Sequence, residues 1–77
     1  MMLSETKKSE FVKIVSVNDN YLKKHFLIIG IKIGDKIMIS QKIRNGPALI
    51  RHNSQEIAIG YKYARLIEVA PVHDKLP

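Results

Sequence analysis

Two glycines four residues apart inside one apolar run, Gly30 and Gly34 in LIIGIKIGDKIMI (27–39), constrain this chain more than any other feature. The spacing has three readings: a close-packed membrane helix, a loop that cradles phosphate, or the junction of two ordinary elements. A membrane span needs about 20 predominantly apolar residues. The longest uncharged apolar run is HFLIIGI (25–31), too short to cross. A phosphate loop runs from a strand into a helix and ends in a lysine and a hydroxyl residue. GIKIGDK has the wrong spacing, no such hydroxyl and the reverse order of elements. The junction remains.

The flanking patterns support it. Upstream, Leu22, Phe26 and Ile29 recur at helical spacing while Lys23 and Lys24 face water. The helix starts at NDN (18–20), whose side chains accept hydrogen bonds from first-turn amides. Gly30 then supplies the left-handed residue that ends a helix, with Ile31 closing the cap. Gly34-Asp35 forms a turn, after which Ile37, Ile39 and Ile43 alternate with Lys36, Met38, Ser40 and Lys42 as a half-buried strand.

The rest of the chain reads as strands and turns. In EFVKIVSV, Val12 and Ile14 share one face and Phe11, Val15 and Val17 the other, which predicts a strand covered on both sides with Phe11 in the core. Asn45-Gly46-Pro47 ends the second strand, because proline cannot donate to a ladder. ALIRH resumes as a strand, NSQ is a polar turn, and EIAI is a short strand with Ile57 and Ile59 inward. Gly60 ends that strand, YKYARL forms a single helical turn, and LIEVA is the last strand, closed by Pro71. Residues 1–9 read as a loose lead-in and 73–77 as a tail, leaving an ordered core of about 10–72 within one domain, 1–77. The predicted fold is mostly β: a five-stranded, closed or partly closed barrel, with a short helix between the first two strands and a helical turn before the last.

The order of these signals resembles the ferrous iron transport protein A (FeoA) family of small cytosolic SH3-like barrels. The resemblance rests on LIIGIKIGDKIMI, NGP, IAIG and ARLIEV, and covers roughly residues 10–70. It makes Gly30, Gly34, Gly46, Pro47 and Gly60 the structural positions. The turn after the fourth strand departs from the family: it reads GYKYAR where many members carry an arginine-rich or acidic turn. The resemblance implies a cytoplasmic, bacterial-type accessory protein of ferrous iron uptake. It would bind the cytosolic side of a membrane iron transporter with a GTP-binding domain (FeoB-type). It would do no chemistry of its own. The same fold is appended to metal-responsive repressors, but no helix-turn-helix precedes the barrel here.

The residues agree with a non-enzymatic role. The seven carboxylates lie mostly in turns or at element ends, and no nucleophile elbow or Ser-His-Asp grouping is visible. With no cysteine, thiolate zinc sites, iron–sulfur clusters and disulfides are excluded, and an intracellular location is the simpler reading. The family name raises a divalent transition metal. His25, His52 and His73, however, show no three- or four-residue spacing, so surface or edge histidines and no resident cofactor are expected.

The formal net charge is +6, and no acid occurs between Asp35 and Glu56. Lys42, Arg44 and Arg51 therefore form a candidate partner-binding patch. If Ile43 opposes Ile50 across the NGP turn, Lys42 opposes Arg51, a mildly destabilising pairing. Tyr61 and Tyr63 are further candidates, since the helix 20–29 and the turn 61–65 can flank a groove of the kind SH3-like barrels use. A small basic barrel also raises nucleic-acid binding. Single-strand binders display aromatics on their strands, and only Phe11 lies on one, so none is expected. A stand-alone metal-sensing module is the third reading. The expected state is a monomer or weak oligomer, not embedded in a membrane.

Overall fold

The computed structural model describes residues 1–72. The elements are a 3-10 turn (Leu3–Glu5), β1 (Phe11–Val17), α1 (Asn20–Ile29), β2 (Lys36–Lys42), β3 (Ala48–His52), β4 (Gln55–Ile59), α2 (Tyr61–Ala64) and β5 (Ile67–Pro71). The strands form one antiparallel sheet in the order β4-β3-β2-β1-β5. The five-stranded SH3-like architecture read from the sequence is therefore the observed one.

The core is the inner face of this sheet. Val12 and Ile14, Ile37 and Ile39, Ala48 and Ile50, Ile59, and Ile67 and Val69 are all buried. Leu22 and Phe26 of α1, with Ile31 beyond it, complete the same cluster. Burial at about 25 cal/mol per Å² of apolar surface is the main force holding so small a domain together.

The junction forms as the glycines demand. Asp19 caps α1, its carboxylate accepting the Leu22 N–H at 2.9 Å. At the other end Gly30 has φ +85°. Its N–H bonds to the Leu27 carbonyl at 3.2 Å, and the Ile31 N–H to the Phe26 carbonyl at 2.9 Å. That pair of bonds is the Schellman arrangement, and it lays Ile31 against Phe26's end of the core. Gly34 has φ +93°, and its N–H reaches back to the Ile14 carbonyl at 2.8 Å, seating the turn on β1.

Four expectations are corrected. First, β1 is covered on one side only. Phe11 is 50% exposed and Val15 is also exposed. The β1–β5 register shifts between Ile14 and Ser16. That bulge changes the parity of the strand, so Val17 joins Val12 and Ile14 inside. Apolar residues at both parities here record a bulge, not two covered faces.

Second, Ile43 lies beyond the end of β2 and is exposed. The β2–β3 register shifts between Ile39 and Gln41, so Ile39 pairs with Ile50, Lys42 with Ala48 and Met38 with Arg51. The hairpin then closes through a tight turn, with the Gly46 N–H on the Ile43 carbonyl at 2.9 Å. Asn45, at φ 55°, takes the left-handed position of that turn.

Third, residues 1–9 are part of the fold. Leu3 is fully buried and packs toward β5 and α2. The Thr6 hydroxyl, also buried, donates to the Leu3 carbonyl at 2.7 Å. The Val69 N–H bonds to the Met1 carbonyl at 2.7 Å, so this segment lies along the outer edge of β5 and covers ladder groups that would otherwise be open. The segment then crosses to β2, where the Ser9 N–H meets the Ile39 carbonyl at 2.6 Å.

Fourth, His52 is buried rather than a surface or edge residue. The Asp35 carboxylate lies within hydrogen-bond distance of its ring, which makes burial of the imidazole tolerable.

Candidate functional site

The structure disperses the basic patch read from the sequence. Lys42 and Arg51 stand three ladder positions apart on β3's scale, about 10 Å along the strands. Arg51 is occupied on the outer face, 3.3 Å from a Glu56 carboxylate oxygen that also accepts the Ser40 hydroxyl. The Lys42 ammonium donates to the Ile43 carbonyl at 2.9 Å. Arg44 sits exposed in the turn. The like-charge pairing inferred from an Ile43–Ile50 register is absent because the bulge at Ser40 and the tight turn set a different register.

A groove runs between α1 and β4, and of the turn 61–65 only Tyr63 lines it. Tyr21, Leu22 and His25 line one side, and Ile57, Ala58, Ile59, Gly60 and Tyr63 the other. The Tyr21 and His25 rings stack with centroids 6.2 Å apart, and Tyr21 lies 6.2 Å from Tyr63. Tyr63 packs against the core, whereas Tyr61 is exposed under the Arg65 guanidinium, 5.7 Å from its ring centroid. Gly60 ends β4 at φ −60° with open space around it, so nothing there requires glycine.

The histidines are separated in role. His25 is exposed in the aromatic stack. His52 Nε2 lies 3.0 Å from Asp35 Oδ2. His73 lies outside the described residues. Among the described residues there is no group of three or more His, Cys, Asp or Glu side chains placed to hold a metal ion. No helix among them is long and apolar enough to cross a membrane. The Asp35 carboxyl is held below its ordinary value chiefly by the Lys32 backbone N–H, which donates to it at 2.9 Å, with His52 as a further cause.

A second groove was not foreseen. Its floor is Ile14, Val17, Phe26 and Ile31, its walls Leu27 and Ile33, and Lys23 and Lys32 stand on its rim; its volume is about 220 Å³. Leu27 is 69% exposed, the adjacent Ile28 82% and Ile33 60%. The sequence carried a signal for it. Leu27 and Ile28 are apolar but fall off the Leu22–Phe26–Ile29 stripe, so α1 has more apolar residues than its buried face uses.

The sheet's outer face carries a shallower depression lined by Phe11, Lys36, Met38 and Arg51, with the Lys36 ammonium 6.0 Å from the Phe11 ring centroid. Lys13 and Lys36 are direct cross-strand partners there.

A one-helix, five-stranded sheet with an inner core, a glycine-bounded helix-to-strand junction and a closing helical turn defines a small SH3-like barrel domain. The family model described as "FeoA domain" matches residues 1–71, and the chain belongs to that family. Solved structures agree on the fold. A crystal structure of "Iron Uptake Regulatory Protein (FeoA)" superposes with a TM-score of 0.82 at 20% identity, covering 94% of this chain and 97% of that one. A solution structure of the FeoA protein of Chlorobium tepidum gives 0.84 at 20% identity, covering 99% and 74%. The structure of ScaR with bound Zn2+ gives 0.80 at 22% identity, covering 94% of this chain but only 37% of that one. No curated protein matches the chain.

Proposed function

We propose that this protein is a cytoplasmic adaptor of ferrous iron uptake, without catalytic chemistry of its own, that binds the cytosolic region of a FeoB-type GTP-binding membrane transporter. The observation that carries this reading is the FeoA family match, which spans every described strand and helix. The geometry is compatible with it. Two of the protein's concavities are apolar or aromatic grooves on the surface, suited to holding another chain's side chains. The direct test is titration of the purified protein into the transporter's cytosolic region, followed by calorimetry and sedimentation. A saturable complex is expected. Absence of any complex at tens of micromolar would remove the reading.

Nucleic-acid binding has one specific observation in its favour: Phe11 is exposed on the sheet beside Lys13, Lys36 and Arg51, not in the core. An aromatic among cations is the element that stacks a base and neutralises phosphate. Binding of a single-stranded oligonucleotide that weakens steeply with salt would support this reading. No shift in a gel at low salt would dispose of it.

A further inference from the structure

We infer that the groove between α1 and the 31–34 turn is the docking site for an amphipathic, acidic segment of the partner protein. Aliphatic side chains of that segment would enter between Leu27 and Ile33, and its carboxylates would meet Lys23 and Lys32. This rests on the adaptor reading and gives it a surface.

The argument is one of shape and charge. Leu27, Ile28 and Ile33 stand largely in water, so a partner that covered them would gain from their burial. The floor beneath them is continuous with the core, because Ile14, Val17, Phe26 and Ile31 belong to both. A side chain lowered into the groove therefore meets a floor built from core residues. The helix cap and the Gly34 N–H bond to Ile14 set the backbone that carries Leu27 and Ile33 on either side of it. All ionic groups lining the groove are lysines. Lys24, one turn before Ile28 on the same side of α1, adds a third nearby.

That charge selects the occupant. A second copy of this chain docking face to face would set Lys23, Lys24 and Lys32 against the same lysines. An anionic lipid surface suits the lysines but is flat, and would leave the concave apolar floor empty. A partner segment with apolar anchors between carboxylates satisfies the groove and the rim together, in the manner of a helix laid in a groove.

The test uses the full chain, isotope-labelled, titrated with the transporter's cytosolic region and observed by NMR. Amide shifts should concentrate in residues 22–34. Leu27→Ser with Ile33→Ser should weaken binding at least tenfold. Lys23→Glu with Lys32→Glu should weaken it severalfold and remove its salt dependence. All four side chains are exposed, and thermal melts of the variants should match the wild type. If the wild type forms a complex but neither pair of substitutions weakens it, or if the shifts fall on 42–51 or 61–63, the docking site is elsewhere and the inference is wrong. If the wild type forms no complex, the adaptor reading itself fails. Dimerisation, or flotation with phosphatidylglycerol vesicles, that is lost in Leu27→Ser with Ile33→Ser while transporter binding is unchanged would assign the groove to a second copy or to lipid, and would overturn the proposal.

Discussion

His52, the last residue of β3, and Asp35, in the turn that opens β2, meet through Nε2 and Oδ2 at 3.0 Å. The same carboxylate oxygen accepts the Lys32 backbone N–H at 2.9 Å. One acidic side chain thus ties the 32–35 turn, which carries Ile33, to the end of β3.

The pH dependence of stability should report this tie. Asp35 titrates below its ordinary value of 3.8 in the folded protein, mainly because its ionised form accepts the Lys32 N–H. A carboxylate with a depressed folded pKa contributes stability that is present above the unfolded value and is lost as pH falls through the folded one. Urea midpoints measured from pH 7 down to 2 should therefore drop on the acid side. Asp35→Asn should lower stability at pH 7 and flatten that drop. A curve for Asp35→Asn that runs parallel to the wild type throughout would show that the tie contributes nothing. His52→Ala, which removes the buried imidazole, should cost about 1 to 3 kcal/mol.

Gly30→Val should be among the costlier single changes. A Cβ at Gly30 would meet nothing within 4 Å, so the penalty is one of backbone conformation, not space. At φ +85° a β-branched residue is strained, and the cost should exceed the 1 to 2 kcal/mol or so typical of an ordinary left-handed residue. Gly30→Asn, which tolerates that region better, should cost clearly less. Chemical denaturation of the two variants decides it. Equal losses would mean that the cap hydrogen bonds, not φ, set the glycine requirement.

Phe11→Ala separates the observed strand from the one expected. A core phenylalanine would cost about 3 to 5 kcal/mol. Phe11 is half exposed and lies near Lys36 on the outer face, so the loss should be below about 1 kcal/mol. A loss of several kcal/mol, measured by urea unfolding, would contradict the outward orientation.

The parts of the fold legible in the sequence were those written in local chemistry. Asp19 caps, Gly30 stops and Gly34 turns because each answers a backbone need within a few residues of itself. Strand positions followed from alternation wherever the ladder was regular, as at Ile37 and Ile39 or Ala48 and Ile50. Two of the failures lie at bulges. A bulge inserts a residue on one strand to suit its neighbour, and nothing in the bulged strand's own sequence marks it. Val15 and Ser40 are the two inserted positions; the first turns Val17 inward and leaves Phe11 outside, and the second, together with the tight turn after Ile43, sets the partners of Lys42 and Arg51. The aromatic groove was legible in part, because its α1 wall and Tyr63 were placed correctly while its other wall is β4 rather than the turn 61–65. The Leu27–Ile33 groove was missed because apolar residues near a glycine were assigned to the core by composition, without counting how many one face of α1 can bury.

Leu3→Ala tests the segment that the sequence disguised best. MMLSETKKSE is mostly polar, and a single leucine among such residues gives no periodicity to read. The fold nevertheless uses it: Leu3 is fully buried, Thr6 is satisfied beneath it by the Leu3 carbonyl, and Met1 pairs with Val69 on the β5 edge. Truncating a buried leucine costs about 2 to 5 kcal/mol, against a total of about 5 to 15 kcal/mol for a native domain. The variant should therefore unfold at much lower urea, and hydrogen exchange at Val69, whose N–H is covered by Met1, should quicken. Ser4→Ala, beside it and only partly buried, should change neither. Wild-type stability in Leu3→Ala would mean that residues 1–9 only rest on the barrel and that the β5 edge is closed by something weaker than this core contact.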